Sequence, residues 1–238
     1  MTTLTKVIIG VILSFLLYSC NIIGIQGNGD VVTETRDLNS QFSAVSAGSG
    51  LEVLLIEGNE QKVIVEADSN LHEHILTYVK DNVLHVKTED NIGRAESKLV
   101  RVTYTDLNTV ITTSGANLRA NGTVTSKNLR IVTTSGGNAN LTVNCKNLDA
   151  TATSGGILNL SGKAVTANAK CTSGANLSAE DLRAESVVAT ATTGGNLNIY
   201  AETSFNGSAT TGGNVSYLGN PDNVAISKRS TGGNVSKG

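Results

Sequence analysis

The 238-residue chain has no tryptophan, three phenylalanines, one methionine and a single proline. A core with so few large rings must be packed from small and branched aliphatic side chains. Charged residues make up 16% of the chain and the net charge is −2, so no basic stripe is available to neutralise phosphates, and nucleic acid is excluded as a partner. No nucleophile elbow and no phosphate-binding loop occur. No stretch is apolar for long enough to span a bilayer, although one shorter apolar run stands near the start.

That run has the pattern of an export signal. Lys6 supplies a positive charge, and Val7 to Leu17 are apolar except for Gly10 and Ser14. It is about half the ~20 residues of a membrane-spanning helix. The run ends Leu17-Tyr18-Ser19-Cys20, which resembles the lipobox of bacterial lipoproteins, with Tyr18 bulkier than the commonest residue there. The resemblance implies a signal peptide over 1–19, cleavage before Cys20, and a lipid on Cys20 that holds the protein to the membrane. A plain secretory signal cut near Ser19 is the alternative. Asn21 is not the aspartate of an inner-membrane retention signal, which points to the outer membrane and leaves the leaflet open. Residues 20–29 are uncharged and are expected to form a lipidated tether.

Two further cysteines remain. Cys145 and Cys171 could pair in an oxidising compartment, but each continues an alternating apolar face, Leu141-Val143-Cys145 and Ala167-Ala169-Cys171. Buried free thiols are the preferred reading. Two ligands are too few for a zinc site.

The strongest signal is an internal repeat. Thr113-Ser114-Gly115-Ala116-Asn117-Leu118 recurs at Thr134, Thr153, Thr172, Thr192, Thr210 and Ser230, with first glycines 21, 19, 19, 20, 18 and 20 residues apart. A period near twenty is too short for helix-pair repeats and fits one turn of a solenoid. Between the glycines the chain alternates with period two, as strands do. The third residue before each glycine (Thr112, Thr133, Ala152, Cys171, Ala191, Ala209) and the fifth (Val110, Ile131, Ala150, Ala169, Ala189, Gly207) are expected to face inward. So is the third after it: Leu118, Ala139, Leu158, Leu177, Leu197, Val215 and Val235. The prediction is an all-β, right-handed parallel β-helix with rungs of about 20 residues, stacked about 4.8 Å apart.

At each corner the first glycine is expected at positive φ, and the asparagines are expected to tolerate the left-handed region and stack as an amide ladder, with Ile157 as its one gap. Lys228 and Arg229 suit a polar cap on the last rung. Residues 106–238 form the regular rungs and 30–105 a strand-rich N-terminal part. Within the latter, Ala47-Gly48-Ser49-Gly50-Leu51 looks like a degenerate corner. Strands are expected at Val31-Val32, 42–45, 51–57, 62–66, 83–87 and 99–104, with a brief helix over 69–76 capped by Ser69.

This part also carries Gly27-Asn28-Gly29, Phe42-Ser43-Ala44-Val45, the apolar strand Leu51 to Ile56, and Val63-Ile64-Val65-Glu66-Ala67-Asp68-Ser69-Asn70-Leu71. In this order, and followed by the Ser-Gly-Gly-Asn rungs, the motifs resemble the head GIN domain family of auto-transporter adhesin-like envelope proteins. The resemblance implies a parallel β-helix at the cell surface or in the envelope, and brings no catalytic residues.

No aligned acid/base set stands out: Lys127, Lys146, Lys163 and Lys170 are scattered, and polysaccharide-cleaving β-helices need clustered charges and aromatic platforms. His72, His74 and His85 are expected in a solvated region rather than on a metal. The corners lack the aspartates of calcium-binding glycine-rich repeats. Thr151/Thr153 and Thr190/Thr192 form too irregular an array for an ice-binding face. No catalytic, cofactor or metal site is therefore assigned. The expected function is non-catalytic: a lipid-anchored, adhesin-like module whose partner is a glycan or an envelope or extracellular protein. A purely structural envelope component is the alternative, ahead of a polysaccharide-acting enzyme. The fourth residue before each glycine (Ile111, Val132, Thr151, Lys170, Thr190, Ser208, Lys228) is the outward stripe expected to carry recognition.

Overall fold

The computed structural model describes residues 24–228 and 231–238. The proposed signal segment, Cys20 and Arg229 lie outside the described residues. Sixteen strands form one continuous sheet wound into a β-solenoid, with no α-helix among the described residues. The regular part is built from long strands, each almost a whole rung: β9 (Asn117–Thr133), β10 (Asn138–Ala152), β11 (Ile157–Thr172), β12 (Asn176–Thr192) and β13 (Asn196–Ala209). They stack in parallel and in register, so Ala139 lies on Leu118 and Leu158 on Ala139. The shorter β14 (Asn214–Leu218), β15 (Asn223–Lys228) and β16 (Asn234–Lys237) close the C-terminal end.

All three inward columns read from the sequence are buried, Gly207 included. Alternation is interrupted by successive outward residues, once in β10 and in β11 and twice in β12. In β10 these are Lys146 and Asn147, between buried Cys145 and Leu148; in β11 they are Val165 and Thr166. This reset of phase lets one strand turn a corner without ending. Gly162 (φ +106°) marks another bend, where an added Cβ would collide with the Val143 carbonyl.

The repeated Ser/Thr-Gly corner is a two-residue turn with both central residues left-handed. Ser114 has φ +50° and Gly115 +72°, and Ala116 N–H donates to the Thr113 carbonyl at 3.0 Å, as in a type I′ turn. The positive φ falls on the glycine, as expected, and on the Ser or Thr before it, but not on the asparagine, which already starts the next strand. The residue after the glycine is Gly or Ala because it is pressed on the rung before: a Cβ at Gly156 would stand 2.7 Å from the Thr133 carbonyl carbon. Each corner glycine N–H also donates to the Ser or Thr carbonyl of the next corner at 2.9–3.2 Å, from Gly50→Ser114 to Gly212→Thr231. Ser49 (φ +57°) and Gly50 (φ +66°) thus make the first corner of the series.

The N-terminal part departs from the all-parallel pattern. β1 (Val31–Arg36), β4 (Lys62–Asp68) and β7 (Lys98–Tyr104) pair antiparallel, and β7 runs parallel to β3 (Glu52–Glu57), which lies on β9. On another wall β5 (Ile75–Lys80) pairs antiparallel with β6 (Val83–Thr88), which stacks on β2 (Ala44–Ala47) and then β8 (Thr109–Thr112). The expected helix shrinks to one 3-10 turn, Ser69–Leu71, with no side-chain cap, and Ile75 onward is strand. Pairing with β6 overrides the local helical signal.

Asp68 precedes that turn and is fully buried. Its carboxylate accepts hydrogen bonds from the Gly29, Glu96 and Ser97 N–H groups at 2.6, 2.9 and 3.0 Å. The Ser97 bond leads in holding its pKa below the usual value, burial opposes it, and the Gly29 and Glu96 bonds add to the lowering. Gly27 lies against the same carboxylate, where a Cβ would clash, and Gly29 has φ +78°. The Gly27-Asn28-Gly29 motif is therefore one half of a clamp whose other half is Asp68. Residues 24–29 are hydrogen-bonded into the body, Ile25 to Asn91 and Gly93, and Gly27 to Arg94, so this stretch does not behave as a free tether.

Candidate binding wall

The outward stripe lies where its register predicts over six rungs: Ile111, Val132, Thr151, Lys170, Thr190 and Ser208 are successive partners. The seventh member is Ser227 rather than Lys228. Ser227 pairs with Ser208, and Lys228 pairs with Ala209 in the column that is inward elsewhere, because the last rung has one more residue before its glycine. Towards the N-terminus the stripe continues through Ser46 to His85 and Tyr78. The rings of Tyr78 and His85 stack with centroids 5.0 Å apart. Burial, then the charges of Lys87 and Lys80, hold the His85 imidazole below its usual pKa, so it is neutral at pH 7.

Beside this stripe runs a groove of about 800 Å³ that the sequence reading did not single out. One of its columns is Asn128, Asn147, Thr166 and Ser186, continuing as Ser204 and Asn223; the other is Arg130, Asp149, Asn168 and Val188, continuing as Asn206 and Ala225. A second hollow shares Ser186 and Val188 and carries the groove on to Asn223 and Val224. Six stacked rungs make it about 24 Å long.

The first column is internally ordered. Asn147 Nδ2 donates to Asn128 Oδ1 at 2.7 Å, Thr166 Oγ1 to Asn147 Oδ1 at 2.9 Å, and Ser204 Oγ to Ser186 Oγ at 2.8 Å. The second column stays uncommitted: among the described residues, no ion pair involves Lys127, Arg130 or Asp149, although Arg130 and Asp149 face each other across adjacent rungs. A signal for the groove exists in the sequence, since the eighth residue before each of five corner glycines is Asn128, Asn147, Thr166, Ser186 and Ser204, polar in every rung.

The corner asparagines form a shorter ladder than expected. Asn196 donates to Asn176 at 3.3 Å and Asn214 to Asn196 at 3.1 Å. Ile157 separates these three from Asn138, whose buried Oδ1 has no partner. Cys145 and Cys171 are buried free thiols, both pushed up to about 11 by burial, with Cys171 Sγ near the Ala175 and Asn196 carbonyls.

The histidines part company. His72 is buried rather than solvated: Nε2 lies 3.2 Å from the Val32 and Ala67 carbonyls, and Nδ1 lies 3.0 Å from Glu34. His74 pairs with Asp90 at 2.9 Å on the outside. Lys127, Lys146, Lys163 and Lys170 are exposed and spread over three rungs. Among the described residues no three His, Cys, Asp or Glu side chains gather as a metal site would need, and no helix is long and apolar enough to cross a membrane.

Comparison with known proteins agrees with this architecture. A putative adhesin from Bacteroides fragilis is similar over 90% of this chain and 99% of its own, with a TM-score of 0.81 at 22% identity. A putative adhesin from Parabacteroides merdae has a TM-score of 0.67 at 21% identity, and a putative lipid binding protein from Parabacteroides distasonis 0.65 at 15%, each over 90% of this chain and 98% of its own. At these identities the likeness is one of fold. No curated protein matches the chain. The model of the family "Putative auto-transporter adhesin, head GIN domain" matches residues 41–221, and the chain belongs to that family.

Proposed function

We propose that this protein is a non-catalytic binding module of the cell envelope, held to the outer membrane through a lipid on Cys20 and presenting the outer wall of its solenoid to a partner. The observation that carries the reading is the contrast within each rung. Inward positions are restricted to small aliphatic residues and corners to Ser/Thr-Gly, whereas the outer wall holds a continuous groove of polar side chains. Membership of an adhesin-like family supports it. A catalytic site would instead gather carboxylates or bases at one or two neighbouring rungs, and the wall spreads Lys127, Arg130, Asp149 and Lys170 over three.

With residues 24–29 docked on the body, only residues 20–23 would separate a lipid on Cys20 from the folded part, holding the N-terminal end of the rod close to the bilayer. Labelling with a clickable fatty acid tests the anchor. Label is expected on the parent and on Cys145→Ala, and none on Cys20→Ala; label retained by Cys20→Ala contradicts it. An array of glycans and extracellular proteins tests the binding: specific retention supports the module, and none at all favours a purely structural envelope component.

A further inference from the structure

The geometry points to an uncharged, extended polysaccharide chain as the ligand of the groove, lying along the rod axis and crossing the rungs; this deepens, and rests on, the reading of the protein as a binding module. The groove runs at right angles to the strands. In β10 to β12 the backbone hydrogen bonds are taken up by the rungs on either side, so a peptide finds no strand edge there to extend. What remains is a side-chain pattern of amides and hydroxyls repeating every rung, about 4.8 Å apart, close to the advance of one sugar ring along an extended chain.

Each asparagine amide has two N–H donors and a two-lone-pair acceptor, and the ladder from Thr166 to Asn128 uses only part of this capacity. The rest, with Asn168 and Asn206, faces solvent as paired donors and acceptors suited to neighbouring sugar hydroxyls. Val188, exposed on the second column, contributes apolar surface for the C–H face of a ring. Charge is balanced, with Asp106 and Asp149 against Lys127 and Arg130, which favours a neutral chain over a polyanion. No Trp, Tyr or Phe lines this stretch, so affinity must come from many weak contacts and must grow with ligand length.

The test titrates the purified full chain with cello-, xylo-, manno- and chito-oligosaccharides from disaccharide to octasaccharide, in parallel with an array of extracellular proteins. The expected result is binding of at least one series, tightening with length and levelling off once the groove is spanned. Arg130→Ala/Asn168→Ala should weaken it by about ten-fold, with Lys163→Ala, elsewhere on the rung, unchanged. Neither Arg130 nor Asn168 makes a side-chain bond within the fold, so the double variant should fold, and matching urea melts check this. Binding that ignores ligand length or the double variant, or no binding to any series, overturns the inference. If a protein on the array is bound equally by parent and double variant while all sugars fail, the binding module stands without the groove. If nothing is bound in either arm, both fall.

Discussion

The two parts of the molecule handle charge in opposite ways. Residues 24–105 carry 13 acidic and 7 basic side chains, and every ion pair among the described residues lies there, from Arg36–Glu34 to Arg101–Glu66. Residues 106–238 carry 7 acidic and 10 basic side chains, and none of those described is in an ion pair. The N-terminal part uses polar groups to tie unlike segments together, with Asp68 as the clearest case. The regular rungs are held by register, by corner hydrogen bonds and by stacked aliphatic columns, which leaves their outward polar groups available to a partner.

The largest effect that can break this comparison is at a backbone contact between rungs. Gly162→Val adds a branched side chain at φ +106° and against the Val143 carbonyl, so a loss of about 3–5 kcal/mol is expected from strain and overpacking together. Urea melts measure it. A variant within 1 kcal/mol of the parent would mean that the rungs do not approach as closely as described.

Asp68→Ala orphans buried N–H groups and should cost about 2–4 kcal/mol, whereas Asp149→Ala, on the groove wall, should stay within about 0.5 kcal/mol. Equal costs would erase the distinction between the two parts. Acid sharpens it. The folded carboxyl of Asp68 titrates below its ordinary value, so its stabilisation is present above about pH 4 and is lost as pH falls through the folded pKa. Asp68→Asn should flatten the stability profile in that acid range and leave its slope near neutral pH unchanged.

The corner gives a smaller effect. A Cβ on Gly155 would meet nothing within 4 Å, so the cost there is conformational only, at φ +71°. Gly155→Val should lose about 2 kcal/mol and Gly155→Ala about 1 kcal/mol, and a Val variant that melts with the parent would contradict the left-handed corner. The smallest change is expected at the outward stripe, where Lys170→Ala/Thr190→Ala should shift stability by no more than about 0.5 kcal/mol.

These contrasts also explain what the sequence made legible. A repeat displays its rule many times, so the glycine spacing and the alternating columns sufficed to place Leu118, Ala152 and Cys171 inside. The groove column at Asn128, Asn147 and Thr166 was within reach by the same counting, but the phase reset at Lys146-Asn147 hides it from an unbroken period of two. The N-terminal part has no second copy to compare with. Nothing local to Asp68 says that its partners are Gly29, Glu96 and Ser97, and nothing local to Ile75 says that β6 will draw it into a strand. The burial of His72 beneath β1 is equally a product of long-range pairing.

The central claim is that the outer wall binds without turning its ligand over. It is met most directly by incubating the purified full chain with the oligosaccharide series and reading retained ligand and released fragments from the same samples by mass spectrometry. Retention of intact chains, reduced in Arg130→Ala/Asn168→Ala, is the predicted result. Fragments that accumulate with time and disappear on substitution of a single residue would show an enzyme and contradict the account.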